Sequence, residues 1–258
     1  RQMCIRDREN TAPSSLNVGF VGVGGGGNKM VNAFLELGFN KALLVNTTGK
    51  DIPKNVAEEH VVLIPDSDGI GKSVDFGKEV LTQNGALVED ALRIKLGKVD
   101  WLIVFAGGGG GTGSSVTALH PVFERYMRSV QAGGKVVYVV SWPTAQENLN
   151  PTIARNALTL VNDVSVHPHI VLDNERSTRL LRGRIGMLGM YPVANTQFAK
   201  SLAQVLKLST EDSPIQSFDS KDLETCLGND GRAFLGSTMI KDPNTGKLGS
   251  VILHNCMN

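Results

Sequence analysis

Two glycine runs hold most of the chemistry in this sequence. The longer is Ala106–Ser115, AGGGGGTGSS, directly behind the apolar stretch Trp101-Leu102-Ile103-Val104-Phe105. Five consecutive glycines after a buried-type strand leave no side chain to pack. They offer backbone N–H groups that can converge on an anion, with φ open to either sign. The Thr and Ser hydroxyls that follow can cap a helix start, where negative charge is favoured. A flexible linker has a similar composition, but linkers do not usually stand between an apolar strand and an amphipathic helix. The shorter run, Gly22-Val23-Gly24-Gly25-Gly26-Gly27-Asn28-Lys29, also follows a short strand, Leu16–Val21.

The remaining composition narrows the class. The 258 residues are 41% hydrophobic and 20% charged, enough for one large domain or two small ones. A net charge of +1 gives no excess that points to direct nucleic-acid or membrane binding. No apolar run approaches the roughly 18 residues of a membrane span. Cys4, Cys226 and Cys256 lie too far apart for a disulfide framework or a zinc site, and a reducing, cytoplasmic setting fits. The opening RQMCIRDR has neither the apolar core nor the cleavage site of a signal peptide, and reads as a translated sequencing adapter fused in frame. The closing stretch Leu248–His254 reads as a strand with no element to complete it, as expected of a C-terminally truncated fragment.

Stepping through the chain supplies the elements that hold the loops. Strands are expected at Leu16–Val21, Lys41–Val45, Val61–Ile64, Trp101–Phe105, Lys135–Val140 and His169–Leu172. Between them, helical periodicity covers Met30–Leu37, Gly77–Leu96, the segment from Val116 to Met127, and Pro151–Leu160. The alternation predicts an α/β fold with a doubly wound, mostly parallel sheet. A further helix is expected from Pro192 to Leu208, with Val193, Phe198, Leu202, Val205 and Leu206 near one face. A strand over Ala233–Ile240 and a hairpin turn at Asn244-Thr245-Gly246 follow. The division expected is a lead over 1–15, a nucleotide-binding domain over 16–190, a core helix over 191–210, and the start of a second α+β subdomain over 211–258.

Two nucleotide motifs are tempting and incomplete. Gly22-x-Gly24-x-x-Gly27 fits the dinucleotide fingerprint, but the second strand ends in Asn46-Thr47-Thr48 rather than an acid for a ribose diol. A hydride-transfer enzyme also has no need of a second glycine run. Gly71-Lys72-Ser73 resembles the end of a P-loop whose first glycine would stand at Asp66.

The two runs taken together resemble the tubulin and FtsZ superfamily of polymerising GTPases. Gly109-Gly110-Gly111-Thr112-Gly113-Ser114-Ser115 matches its GGGTG[SA]G signature except at Ser115, and GVGGGGNKM is similar to its first loop. Asn46-Thr47-Thr48 stands where the family has an N-T-D or N-T-S turn. The segment LLVNTTGKD, Glu147 after Pro143, and Ile170–Asn174 look most like the plasmid and bacteriophage branch, TubZ and the phage tubulins.

The resemblance implies GTP and GDP as ligands, with Mg²⁺. Gly24, Gly25, Gly26, Gly27 and Asn28 would wrap the α- and β-phosphates. Gly108, Gly109, Gly110, Gly111, Thr112, Gly113 and Ser114 would hold the β- and γ-phosphates. Asn46 and Thr47 would border the site, and Asp68, Gly69 and Gly71 lie where the family senses the γ-phosphate. Lys72 there reads either as added charge or as a surface lysine. Glu147, four residues after Pro143, falls at the spacing of a ribose-binding glutamate, although Pro151 replaces the arginine that FtsZ carries four residues later. Asn174 and Asn195 would pair with the guanine edge and Tyr191 would stack on it; the competing readings are a helix cap for Asn195 and core packing for Tyr191.

For hydrolysis the family implies a loop, N-x-D-x-x-D, inserted by the next subunit. Here it is Ser217-Phe218-Asp219-Ser220-Lys221-Asp222, so Asp219 and Asp222 would act on water in trans; Asp219 also reads as a helix N-cap. The partners implied are further copies in a head-to-tail filament and a DNA-segregation or phage adaptor protein, in the cytoplasm of a bacterial host. Plasmid segregation, phage DNA or capsid positioning, and division are the roles open to such a filament. A non-polymerising nucleotide-binding regulator on the same fold is the first alternative, and a Rossmann-type NAD-binding enzyme the second.

Overall fold

The structure, a computed structural model, describes residues 17–65, 67, 69–130, 134–179, 181–208, 220–237 and 250–253. Its centre is one sheet of strands β1 (Val18–Val23), β2 (Ala42–Asn46), β3 (Val61–Leu63), β4 (Trp101–Gly107), β5 (Lys135–Trp142), β6 (Pro168–Asp173), β7 (Gly231–Ser237) and β8 (Ser250–Leu253). The spatial order is β3-β2-β1-β4-β5-β6-β7-β8. β1 to β7 pair in parallel, and β8 pairs antiparallel with β7. The strand expected after Pro192–Leu208 thus extends the edge of the nucleotide sheet itself. The turn expected at Asn244–Gly246 lies outside the described residues.

Helices cover both faces: α1 (Gly24–Glu36), α2 (Val74–Gln83), α3 (Gly85–Leu96), α4 (Gly111–Ser114), α5 (His120–Val130), α6 (Pro151–Val164), α7 (Asn174–Arg179), α8 (Met187–Leu208) and α9 (Ser220–Leu227). Strand side chains alternate between two cores. Val21, Val23, Leu102 and Val104 meet Leu81, Val88, Phe123 and Leu160 on one face; Phe20, Trp101, Ile103 and Phe105 meet Val31, Phe34, Leu202 and Leu223 on the other. Because both faces are covered, the strands read as unbroken apolar runs.

Several helices differ from expectation for local reasons. The helix expected over Gly77–Leu96 starts at Val74, where Ser73 Oγ accepts from Phe76 N–H at 3.3 Å, and it breaks at Asn84. Asn84 Nδ2 donates to Val80 O at 2.9 Å, an amide-to-backbone bond that competes with helix continuation. The helix expected behind the glycine run is three pieces: α4, a 3₁₀ turn over Val116–Leu119, and α5. α8 begins five residues before Pro192, which lies inside it.

Candidate functional site

In spatial order, β1 lies between β2 and β4, so the chain leaves β1 and β4 for opposite sides at the point where strand order reverses. Ligands of open α/β sheets bind at such a point, beyond the carboxyl ends of the strands. Both glycine runs are there, and they touch backbone to backbone. A Cβ on Gly24 would stand 2.7 Å from Gly113 N, one on Gly26 would stand 3.0 Å from Gly107 Cα, and one on Gly113 would stand 2.6 Å from Gly107 O. Gly24 also has φ of +72°. A side chain at Gly24 or Gly26 would push the two loops apart, and one at Gly113 would force the longer loop open on itself.

The glycines are not loose loops. Gly24–Gly27 form the first turn of α1, and Gly111–Gly113 belong to α4. Two helix starts therefore converge, each with N–H groups that have no intrahelical partner and a partial positive charge. Between them and α8 opens a cavity of about 560 Å³. Of the residues expected to bind nucleotide, Gly25, Gly26, Asn46, Thr47, Gly69, Gly71, Gly108, Gly110, Gly111, Thr112, Gly113, Glu147, Asn174, Tyr191 and Asn195 line it.

Others support it from behind. Asn28 is fully buried and its Nδ2 donates to Val45 O at 3.4 Å, so it fixes α1 to β2. Gly27 presses on the Phe105 carbonyl, and Gly109, at φ +116°, sits against Ile153 and Pro143. Ser114 is fully buried and its hydroxyl accepts from Gly109 N–H at 3.2 Å, so the hydroxyl expected to face phosphate instead holds the loop. Thr112 Oγ1 and Thr47 Oγ1 are 2.8 Å apart, joining α4 to the end of β2. Asn46 Oδ1 accepts from Thr47 N–H at 2.9 Å, while its buried Nδ2 has no partner. A buried amide donor on a cavity wall costs stability unless something accepts from it, and an oxygen-rich ligand would do so.

The far wall comes from α8 and the segment after β5. Glu147 Oε2 accepts from Thr144 N–H and Thr144 Oγ1, each at 2.8 Å, and from Tyr191 Oη at 3.0 Å. Burial, then the Glu147 charge, pushes the Tyr191 hydroxyl up to about 12, so it remains a donor at neutral pH. Tyr191 is half-buried on the cavity wall and belongs to neither core. Asn195 lies in the third turn of α8, too deep to cap it. Asn174 opens α7, at the end of β6. Lys72 is exposed and off the lining.

The sequence reading missed Lys29, Met30, Thr48, Lys50, Asp51, Ile70, Gly107 and Ser141 on the lining. Lys50 and Asp51 reach it through a 3₁₀ turn over Gly49–Asp51, capped where Thr48 Oγ1 accepts from Lys50 N–H at 3.3 Å. Lys29 and Lys50 form no ion pair among the described residues. They stand as positive charge at the cavity rim.

Asp68 and Asp219 lie outside the described residues, as does Ser217. Asp222 is exposed in the first turn of α9, at the opposite end of the sheet. α9 leads into the start of β7, and its Glu224 pairs with Lys135, the first residue of β5, at 3.6 Å. Six residues along β5 at about 3.3 Å each separate Lys135 from the cavity residue Ser141 by about 20 Å. Among the described residues no group of three His, Cys, Asp or Glu could hold a metal ion, and no helix is long and apolar enough to cross a membrane.

Known proteins share this arrangement. The chain is 25% identical over 238 residues to the cell division protein FtsZ of Neisseria meningitidis, covering 90% of this chain and 58% of that protein. CetZ from Methanosaeta thermophila superposes with a TM-score of 0.73 at 22% identity, over 89% of this chain and 64% of that one. TubZ of Bacillus thuringiensis serovar israelensis, solved as a GTPγS-form protofilament, gives 0.66 at 21% identity, over 83% and 61%. The chain thus spans 58% of the length of the curated relative. CetZ and TubZ alike share the fold, so this likeness does not select the TubZ branch. Residues 17–182 match the model of the Tubulin/FtsZ family, GTPase domain, and the chain belongs to that family.

Proposed function

We propose that the chain binds GTP across its two glycine-bearing helix starts and hydrolyses it when copies stack head to tail. The N-terminal turns of α1 and α4 would take the phosphates, assisted by Asn46 and Thr47. Glu147 would take the ribose, and Asn174, Asn195 and Tyr191 the base. Mg²⁺ would be held chiefly by phosphate oxygens, since this ion keeps most of its ligands from substrate and water, with the Asp51 carboxylate beside Gly25 among the described residues. Its chemistry is charge neutralisation on the phosphates.

The carrying observation is the distance between Asp222 and the cavity. The cavity has no aspartate or glutamate among its described lining other than Asp51 and Glu147, and Glu147 is engaged by Thr144 and Tyr191. Asp222 stands at the far end of β5 and cannot reach the cavity of its own chain. A second copy stacked end to end would bring Asp219 and Asp222 over the nucleotide, a heterologous contact that propagates into a filament. The Asn46–Asp51 stretch supports a plasmid or phage setting, in which such a filament would move DNA or a capsid through an adaptor protein.

Turnover of GTP should therefore rise more than linearly with protein concentration. Strict linearity would overturn the split site. Asp222→Ala should leave GTP binding intact and yield longer-lived filaments, because the bound triphosphate persists. Pelleting with GTP against GDP separates this reading from a regulator that binds nucleotide without assembling.

A further inference from the structure

Asn156, on α6, lies off the cavity lining and is 5% exposed. Its Nδ2 donates to Lys72 O at 2.8 Å and to Gly109 O at 3.2 Å. An amide nitrogen carries two hydrogens, so both bonds can be made together. The two carbonyls belong to different loops. Lys72 is in the segment from Gly69 to Ser73, whose Gly69, Ile70 and Gly71 form one wall of the cavity; Gly109 is in the run that forms the facing wall at the start of α4.

No strand pairing joins these loops. What joins them is a small set of bonds centred on α6 and α4. Gly111 N–H donates to Gly71 O at 3.2 Å, and Ser115 Oγ lies 2.9 Å from Val74 O and 2.8 Å from Gly111 O, with one proton to share. α6 also floors the glycine run: a Cβ on Gly108 would stand 3.2 Å from Ala157 Cα, and one on Gly109 would stand 2.8 Å from Ile153 Cγ2. The distance between the two walls is therefore set in part from below, by a buried side chain that lies off the cavity lining.

We propose that Asn156 is a positioning residue that fixes the 69–73 loop at the separation a terminal phosphate fills. This inference rests on the reading of the cavity as a guanine-nucleotide site. A triphosphate reaches the gap between the walls and gains from their being held at that spacing. A diphosphate ends short of the gap and binds through the α1 glycines, the start of α4 and the base wall. Loss of the Asn156 amide leaves the buried Gly109 carbonyl and the part-buried Lys72 carbonyl without this donor and loosens the loop from the run, which weakens the hold on the last phosphate selectively.

The test is titration of the full chain with fluorescent GDP and with GTPγS, on wild type, Asn156→Leu and Ser115→Ala. Asn156→Leu keeps the branched shape, at a larger volume, and removes the donor. It should bind GDP within about twofold of wild type and GTPγS about tenfold more weakly. Ser115→Ala removes a second tie with no steric cost and should shift the same ratio by about threefold. A merely structural role for Asn156 would lower both affinities together, and an unchanged GTPγS-to-GDP ratio overturns the proposal. Should Asn156→Leu fail to fold, the Ser115→Ala ratio decides. Wild type that binds neither nucleotide overturns the guanine reading of the cavity, and this proposal with it.

Discussion

Gly27 and Gly110 require glycine for opposite reasons. A Cβ on Gly27 would be driven into the Phe105 carbonyl, where α1 crosses β4, whereas one on Gly110 would meet nothing within 4 Å. Gly27→Ala should lose about 3 kcal/mol or fail to fold, since neither backbone can yield without moving its element. Gly110→Ala should unfold in urea within about 0.5 kcal/mol of wild type, yet bind guanine nucleotide more weakly, because its methyl stands on the cavity wall. If both variants lost the same stability, the contrast drawn between floor and lining would be wrong. Tyr191→Phe removes one of three donors to Glu147 Oε2. The pair is half exposed, so the discounted loss is about 1 kcal/mol, about fivefold in nucleotide affinity.

At the scale of elements, Ser115 departs from the glycine of the family signature, and α2 accommodates it. A Cβ on Gly77 would collide with Ser115 Oγ and would also crowd Ile70, behind the 69–73 wall. Gly77→Ala should destabilise the chain by about 1–3 kcal/mol, and Ser115→Gly in the same chain should recover part of that, a coupling measurable by a double-mutant cycle. A second device joins α5, β5 and the lead into β6. The rings of His120 and His167 lie tilted by 31° with centroids 3.8 Å apart, and His120 Nδ1 lies 2.8 Å from Tyr138 Oη. Burial lowers the pKa of both, and the charge of His167 lowers that of His120 further; Glu124 and Asp230 pull the other way. His169 beside them is lowered by burial too, and Arg232 adds to that. The unfolded chain therefore takes protons first as pH falls, so this stability is complete above the ordinary histidine value of about 6.5 and is lost on acidification through it. The urea midpoint should fall from pH 7.5 to pH 5.5, and His167→Gln should make that fall shallower. The parallel sheet and both glycine runs were legible because strands buried on two faces show as continuous apolar stretches ending in glycine. The break at Asn84 and the start of α8 were not. A side-chain bond to Val80 O leaves no trace in hydrophobic periodicity, and a proline one turn inside a helix looks like its beginning. The wall of Lys50 and Asp51 was hidden similarly, since a three-residue turn has no period to read.

For the whole molecule, the distance between Asp222 and the cavity makes a statement about two copies. If each catalytic site takes its phosphate cradle from one chain and its acid from the next, two variants crippled in different halves should repair one another. Asp222→Asn keeps an intact cavity. Gly110→Val, placed where a Cβ meets no heavy atom within 4 Å, blocks the cavity and leaves α9 untouched. Each alone should turn over GTP slowly at every concentration. Mixed one to one, random pairing puts a sound cavity beneath a sound Asp222 at up to about a quarter of contacts, so turnover should rise to about that fraction of wild type. The gain should vanish on dilution, because it depends on encounter between chains. A site complete within one chain predicts only the sum of the two separate rates, and that sum, persisting at the highest protein concentration in mixtures that co-assemble, would refute catalysis across the interface.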